Sequence, residues 1–207
     1  MEEKINENGL MKILNSIYSQ TMTGLPGTDS AKELAEEYLK EGGSLEEKID
    51  SLIRMQNIKC AASGFITNLG GAITLPIAIP ANLSSVLYMQ LRMIAAIAYM
   101  CGHDPKSDRV KTLAFVCLCG NEAKDILKDA MAIPLGKELA KAAIKKIPNE
   151  IIKRINKAVG TRLLTKFGSK GLINLGKAIP AIGGFIGGGM DLFATNIIGD
   201  KAKEMFM

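Results

Sequence analysis

Tryptophan is absent from the 207 residues, histidine occurs once, and Phe, Trp and Tyr together make up 5%. So few aromatic rings leave no stacking platform for single-stranded nucleic acid; the most basic tract of the chain contains only Phe167. Nucleic acid is therefore an unfavoured partner. The single histidine also narrows the chemistry. A Ser-His-Asp arrangement would have to recruit His103, and neither a G-x-S-x-G nor an H-E-x-x-H motif is present. The start, MEEKINENG, has neither a basic region nor an apolar run, so no secretory signal is expected and a reducing cytosol follows.

The four cysteines lie in apolar contexts. Cys101, His103, Cys117 and Cys119 fall within 19 residues and would have the right atoms for zinc. However, Cys117 and Cys119 sit in a stretch that reads as one helix, VKTLAFVCLCGNEAKDILKDA, where positions two apart point about 200° apart. They cannot share one ion there. Buried free thiols are the expectation, with no metal and no cofactor.

What the chain does have is segregated. It is 47% hydrophobic and 23% charged, with a mean hydropathy of +0.15. That is apolar for a soluble protein and too charged for one that crosses a membrane many times. Residues 1–59 carry 11 acidic and 7 basic side chains, a net of −4. Between Lys137 and Lys177 stand 11 basic residues against Glu138 and Glu150, a net of +9. Such asymmetry points to an anionic partner.

The periodicity is helical throughout. Leu10, Ile13, Leu14 and Ile17 mark one face of a first helix over 9–22. Thr28-Asp-Ser30 offers caps for a second, which Gly42-Gly43 ends, and Ser44-Leu-Glu-Glu47 reads as a capping box opening a third. The fold class is all-α: one compact helical domain over 1–207, with acidic N-terminal helices over 1–59 and an apolar and basic core over 60–207.

From Cys60 to Leu91 no residue is charged, a run of 32. Gly70-Gly71, Pro76 and Pro80 interrupt it, so it reads as a hairpin of two helices joined by an irregular apolar connection. The hairpin is either buried at the centre of the bundle or dips its tip, Ile73, Leu75, Ile77 and Ile79, into one leaflet; a true span fits the interruptions less well. The helix from about Asn82 to Cys101 is apolar nearly all round apart from a stripe of Ser85, Tyr88, Arg92 and Tyr99. Arg92 needs a partner, because an unpaired buried charge costs several kcal/mol. Asp104, Glu122 and Asp191 are the candidates, and Asp191, in an otherwise uncharged neighbourhood, is the natural counter-ion.

Beyond Lys137 the helices are basic and amphipathic. Lys137, Lys141 and Lys145 oppose Leu139, Ala143 and Ile147; Lys153 and Lys157 oppose Ile151, Ile155 and Val159. Such faces suit anionic membrane surfaces. Ile73, Leu75, Ile77, Ile79, Lys141, Lys145, Lys153 and Lys157 are the expected membrane contacts. Near the C-terminus Gly183/Gly187 and Gly184/Gly188 are spaced to clear one face of a glycine-rich helix for close packing. Without a preceding strand or a Gly-Lys-Ser/Thr ending they do not read as a phosphate loop.

Taken together, Ser63-Gly-Phe-Ile-Thr67, the run Gly70-Gly-Ala-Ile-Thr-Leu-Pro-Ile-Ala-Ile-Pro80, Gln90-Leu-Arg92-Met-Ile-Ala-Ala-Ile-Ala-Tyr99 and Gly176-Lys-Ala-Ile-Pro180 with the glycines after it resemble the bacterial EcsC protein family, from about Leu14 to Phe206. Gly102, Asp104, Gly120, Lys166-Phe-Gly168 and Asp191 also fall in the family's pattern; His103 and the cysteines do not. The resemblance implies an α-helical, membrane-associated bacterial protein, in a family named after a protein encoded beside ABC transporter components. It supplies no mechanism. The expected function is non-enzymatic, a peripheral module on the inner membrane facing the bacterial cytoplasm. The alternatives are a soluble adaptor or homo-oligomer that serves a membrane protein, and a lipid or peptide hydrolase.

Overall fold

The computed structural model describes residues 5–61, 72–76, 79, 81–131, 141–167 and 195–207, and every regular element among them is helical. The elements are α1 (Glu7–Thr23), α2 (Ala31–Leu39), α3 (Leu45–Ala61), α4 (Ala81–Met100), α5 (Asp108–Cys117), a 3-10 turn at Gly120–Glu122, α6 (Ala123–Met131), the short α7 (Lys141–Lys145), α8 (Asn149–Phe167) and α9 (Thr195–Phe206).

The starts of these helices follow from their caps. Asn6 accepts from the Gly9 N–H, and Ser107 from Val110. Ser30 with Glu33 and Ser44 with Glu47 form capping boxes, in which each serine accepts from the third backbone N–H while the glutamate accepts from the serine's own N–H. Both glutamates are held below the ordinary carboxylate pKa, by hydrogen bonds from the Ser30 and Ser44 side chains and backbones. α4 ends in a Schellman turn: the His103 N–H reaches Ala98, the Gly102 N–H reaches Tyr99, and Gly102 takes the left-handed φ of 76° that the turn requires.

α4 is the axis of the molecule. α1, α2, α3, α5 and α9 all pack against it, and nearly all of Leu83–Met100 is buried. Among the described residues it is the one helix long and apolar enough to cross a bilayer, and its enclosure by five helices accounts for a surface that is apolar all round. α8 lies outside this shell on α1, α5 and α6. A single core cluster runs from Leu10 to Phe206, so the acidic N-terminal helices and the later half of the chain share one interior.

Two expectations are corrected. The stretch from Val110 to Ala130 is not one helix: α5 stops at Cys117, and Gly120, at φ 61°, turns the chain before α6. Of the apolar face expected from Leu139, Ala143 and Ile147, Ile147 is buried but Ala143 is exposed, and Ile144 enters the core beside Ile147 instead, while Leu139 lies outside the described residues. α3, which reaches the start of the expected hairpin at Cys60–Ala61, packs on α4, its second arm. Residues 62–71, which hold most of the expected first arm and the start of its connection, lie outside the described residues, as does the glycine-rich stretch 183–189.

α9 approaches α3 at a glycine. A Cβ on Gly199 would stand 2.7 Å from both γ-carbons of Ile53. Gly199→Val should therefore destabilise the fold by about 2 kcal/mol through overpacking. Gly42→Ala, with nothing within 4 Å of the added carbon, should change stability by less than about 0.5 kcal/mol. Urea midpoints of the two variants check the contrast.

Candidate functional site

The polar stripe of α4 faces the turn before α2, α2 itself, and α3. Tyr88 and Thr28 share a hydrogen bond of 2.8 Å between their hydroxyls, and the Tyr99 hydroxyl donates to Glu36 at 3.2 Å. Ser85 donates to the Ala81 carbonyl one turn back. Arg92, 2% exposed, donates through one terminal nitrogen to the Asp29 carbonyl at 3.1 Å and through the other to Gln56 Oε1 at 3.3 Å. Met89 Sδ lies 3.6 Å from that second nitrogen, and the Tyr88 ring centroid is 5.7 Å from the guanidinium carbon.

Of the three expected carboxylate partners, two are elsewhere. Asp104 is exposed and accepts from the Lys106 N–H, and Glu122 pairs with Arg162 at 3.2 Å. Both sit beyond the Schellman turn that redirects the chain after α4, so the stripe meets α2 and α3 instead. Asp191 lies outside the described residues. Among the described residues Arg92 thus has neutral acceptors and no carboxylate.

Two buried donors beside it are also unsatisfied: Arg92 Nε and Gln56 Nε2 have no hydrogen-bond partner among the described residues. Cys60, one turn beyond Gln56 on α3, is in the same neighbourhood. Burial raises its thiol pKa, and a hydrogen bond with Thr195 and the Arg92 charge partly offset that rise. Thr195, the first residue of α9, is itself buried. The start of α9 therefore comes to the Arg92 cluster. Gln56, Asp29 and Thr28 escaped the sequence reading as partners of the stripe. Gln56 carried a signal, a polar residue on the same face as Ile49, Leu52 and Ile53.

The remaining candidates lie on the surface. Lys145, Lys153 and Lys157 are exposed, as are Lys146 and Arg154, and none of the five is in an ion pair among the described residues. Lys141 opens α7, and only its backbone is described. Of the apolar tip, Ile73, Leu75 and Ile79 are half-buried and pack against the core cluster, while Ile77 lies outside the described residues. Thr74 and Pro76 are exposed. The segment is held by α1: Gln20 Nε2 donates to the Thr74 carbonyl at 2.7 Å and Gln20 Oε1 accepts from the Thr74 N–H at 3.1 Å, with Ser16 donating to the same carbonyl. Met55 (41%) and Ile58 (56%) are exposed on α3, off the face that periodicity assigns to the core.

His103 is buried; its Nε2–H donates to the Phe206 carbonyl at 3.0 Å and its ring lies 5.4 Å from that of Phe206. Cys119 Sγ donates to the Phe115 carbonyl, and burial pushes the Cys117 thiol far up. Among the described residues no three His, Cys, Asp or Glu side chains are grouped to hold a metal ion.

These features define an all-helical protein built round a buried arginine-bearing helix, with a basic outer helix and an apolar connection on its surface. The chain matches the EcsC protein family over residues 3–207 and belongs to it. No curated protein and no solved structure matches it.

The geometry at Arg92 needs a planar fork that reaches two acceptors on different elements. Arg92→Lys can keep only part of this arrangement and should cost about 2 kcal/mol, and Tyr88→Phe, which removes the bond between α4 and Thr28, about 1 kcal/mol. Chemical denaturation of the two variants measures both.

Proposed function

We propose that the protein is a non-enzymatic peripheral module that binds an anionic lipid surface, on the cytoplasmic face of a bacterial inner membrane, through the cations of α7 and α8 and the apolar connection that includes Ile73, Leu75, Ile77 and Ile79. The observation that carries this reading is the cluster of five exposed cations from Lys145 to Lys157 with Glu150 as the one acid between them. Cations near the acidic helices behave differently. Lys203 bonds to Glu46 and Asp50, and Lys32 pairs with Glu36. Each unpaired Lys or Arg near an anionic surface contributes about 1 kcal/mol.

The test is flotation with vesicles of phosphatidylglycerol and phosphatidylcholine at low and high salt. Binding is expected at low salt, weakened at least tenfold by Lys153→Glu/Lys157→Glu at about 1 kcal/mol per charge. Ile77→Asp should remove whatever binding survives high salt. A wild-type protein that stays with the soluble fraction at low salt sinks the reading and favours a soluble adaptor.

We also infer that Asp191 is the counter-ion of Arg92. Both unsatisfied atoms in the cluster, Arg92 Nε and Gln56 Nε2, are donors, so the group they call for is an acceptor. Asp191 stands four residues before Thr195, which the fold brings to Cys60 beside them. Removing one charge of a buried pair costs about 3–5 kcal/mol. Arg92→Met and Asp191→Asn should each be strongly destabilising and the double variant much less than additive; a double-mutant cycle with no coupling would overturn the pairing.

A further inference from the structure

The two surface features invoked for lipid binding sit on opposite shoulders of one helix, α1. Gly160 of α8 packs where an added Cβ would meet Glu7 Cβ at 3.6 Å and Met11 Cγ at 3.7 Å, and Thr161 donates to the Glu7 carboxylate. The apolar segment is bound to Ser16 and Gln20 instead. At about 100° per residue, Glu7 and Met11 lie roughly 140–180° around the helix from Ser16 and Gln20. Leu10, Ile13, Leu14 and Ile17 occupy the inward arc between them. The outward arc carries Asn8, Lys12, Asn15 and Ser19, all exposed and with no acidic residue among them.

We propose that this outward stripe of α1 is itself a lipid-contacting surface, the middle of one continuous face that runs from the cations of α8 across α1 to the apolar segment 72–76. It rests on the lipid-binding reading above and adds to it a surface that neither the basic nor the apolar character of the sequence marks. The stripe spans about 16 Å along the helix axis, from the 1.5 Å rise per residue. Its only charge is Lys12, of the sign of the α8 cations, and its amides and hydroxyl can bond phosphate and glycerol oxygens. The contrast is with α2, whose exposed residues include Lys32, Glu33 and Glu37, with Lys40 at its C-cap. An anionic membrane is complementary to the α1 side and not to the α2 side.

The test uses the full chain with the same vesicles at low salt. Asn15→Glu/Ser19→Glu adds two negative charges in the middle of the face, and Lys40→Glu, at the C-cap of α2, changes the net charge by the same amount. The first is expected to weaken binding about thirtyfold, at about 1 kcal/mol per charge near the surface, and the second to leave it within twofold. Asn8→Glu is a second probe on the same stripe, since an acid in the first turn favours the helix and keeps the fold intact; it should also weaken binding. If the wild type floats and Lys153→Glu/Lys157→Glu weakens it while the α1 variants bind normally, the α1 face is wrong and the lipid reading stands. Equal losses from Lys40→Glu and the α1 variants also overturn the face, because net charge alone then explains the effect. If the wild type does not float, both proposals fall.

Discussion

The arrangement depends on burying α4 with Arg92 in its middle. A guanidinium taken out of water loses hydration worth several kcal/mol, and only close acceptors repay it. That requirement selects what can lie beside α4. The turn before α2 must present the Asp29 carbonyl, and α3 must present Gln56 at the same height. Tyr88 and Tyr99 extend the requirement along the helix, one held to Thr28 and the other to Glu36. α2 is thereby fixed against the central helix by polar bonds whose directions are demanding, in addition to the apolar packing of Leu34, Ala35 and Tyr38. Apolar contact alone is non-directional and would tolerate other registers.

Much of the fold is legible in the chain because its local signals are strong. Serine and glutamate at the right spacing mark the starts of α2 and α3, and Leu10, Ile13, Leu14 and Ile17 show the inward face of α1. The stripe on α4 is legible as a stripe, and Arg92 as a charge that needs partners. The partners are not. Asp29 contributes its backbone, which has no sequence signature, and a neutral amide such as Gln56 does not stand out as the acceptor for a cation. The break after Cys117 is hidden for a related reason. Gly120 sits inside an otherwise helical pattern, and only its left-handed φ ends the helix. Ala143 misleads because a side chain that small packs as readily on the surface as inside, so Ile144 decides the face of α7.

Charge organises the outside as polarity organises the inside. The acidic surplus of the first 59 residues meets basic residues from the end of the chain: Lys203 bonds to Glu46 and Asp50, and Glu204 in turn binds Lys124 and Lys201. Partial burial lowers the Lys203 pKa, but the hydrogen bonds from its ammonium to Asp50 and Glu46 outweigh that and leave it raised. α9 is thus anchored twice, by Ile198, Ala202 and Phe206 in the core and by this network at its rim. Lys145, Lys146, Lys153, Arg154 and Lys157 have no such ion pair among the described residues, while Arg162 further along α8 is paired with Glu122, so the net charge of +5 averages a neutralised region with a less compensated one.

The way segment 72–76 is fastened bears on what its surface can meet. Its anchors are the amide of Gln20 and the hydroxyl of Ser16 on the Thr74 backbone, with no ion among them. A charged anchor would have to keep its water or lose several kcal/mol on contact with an apolar phase, whereas paired amide and backbone groups satisfy one another and enter at small cost. Ile73, Leu75 and Ile79 divide their surface between the core and the outside. The segment is therefore held in place by bonds that survive dehydration, on the opposite shoulder of α1 from α8.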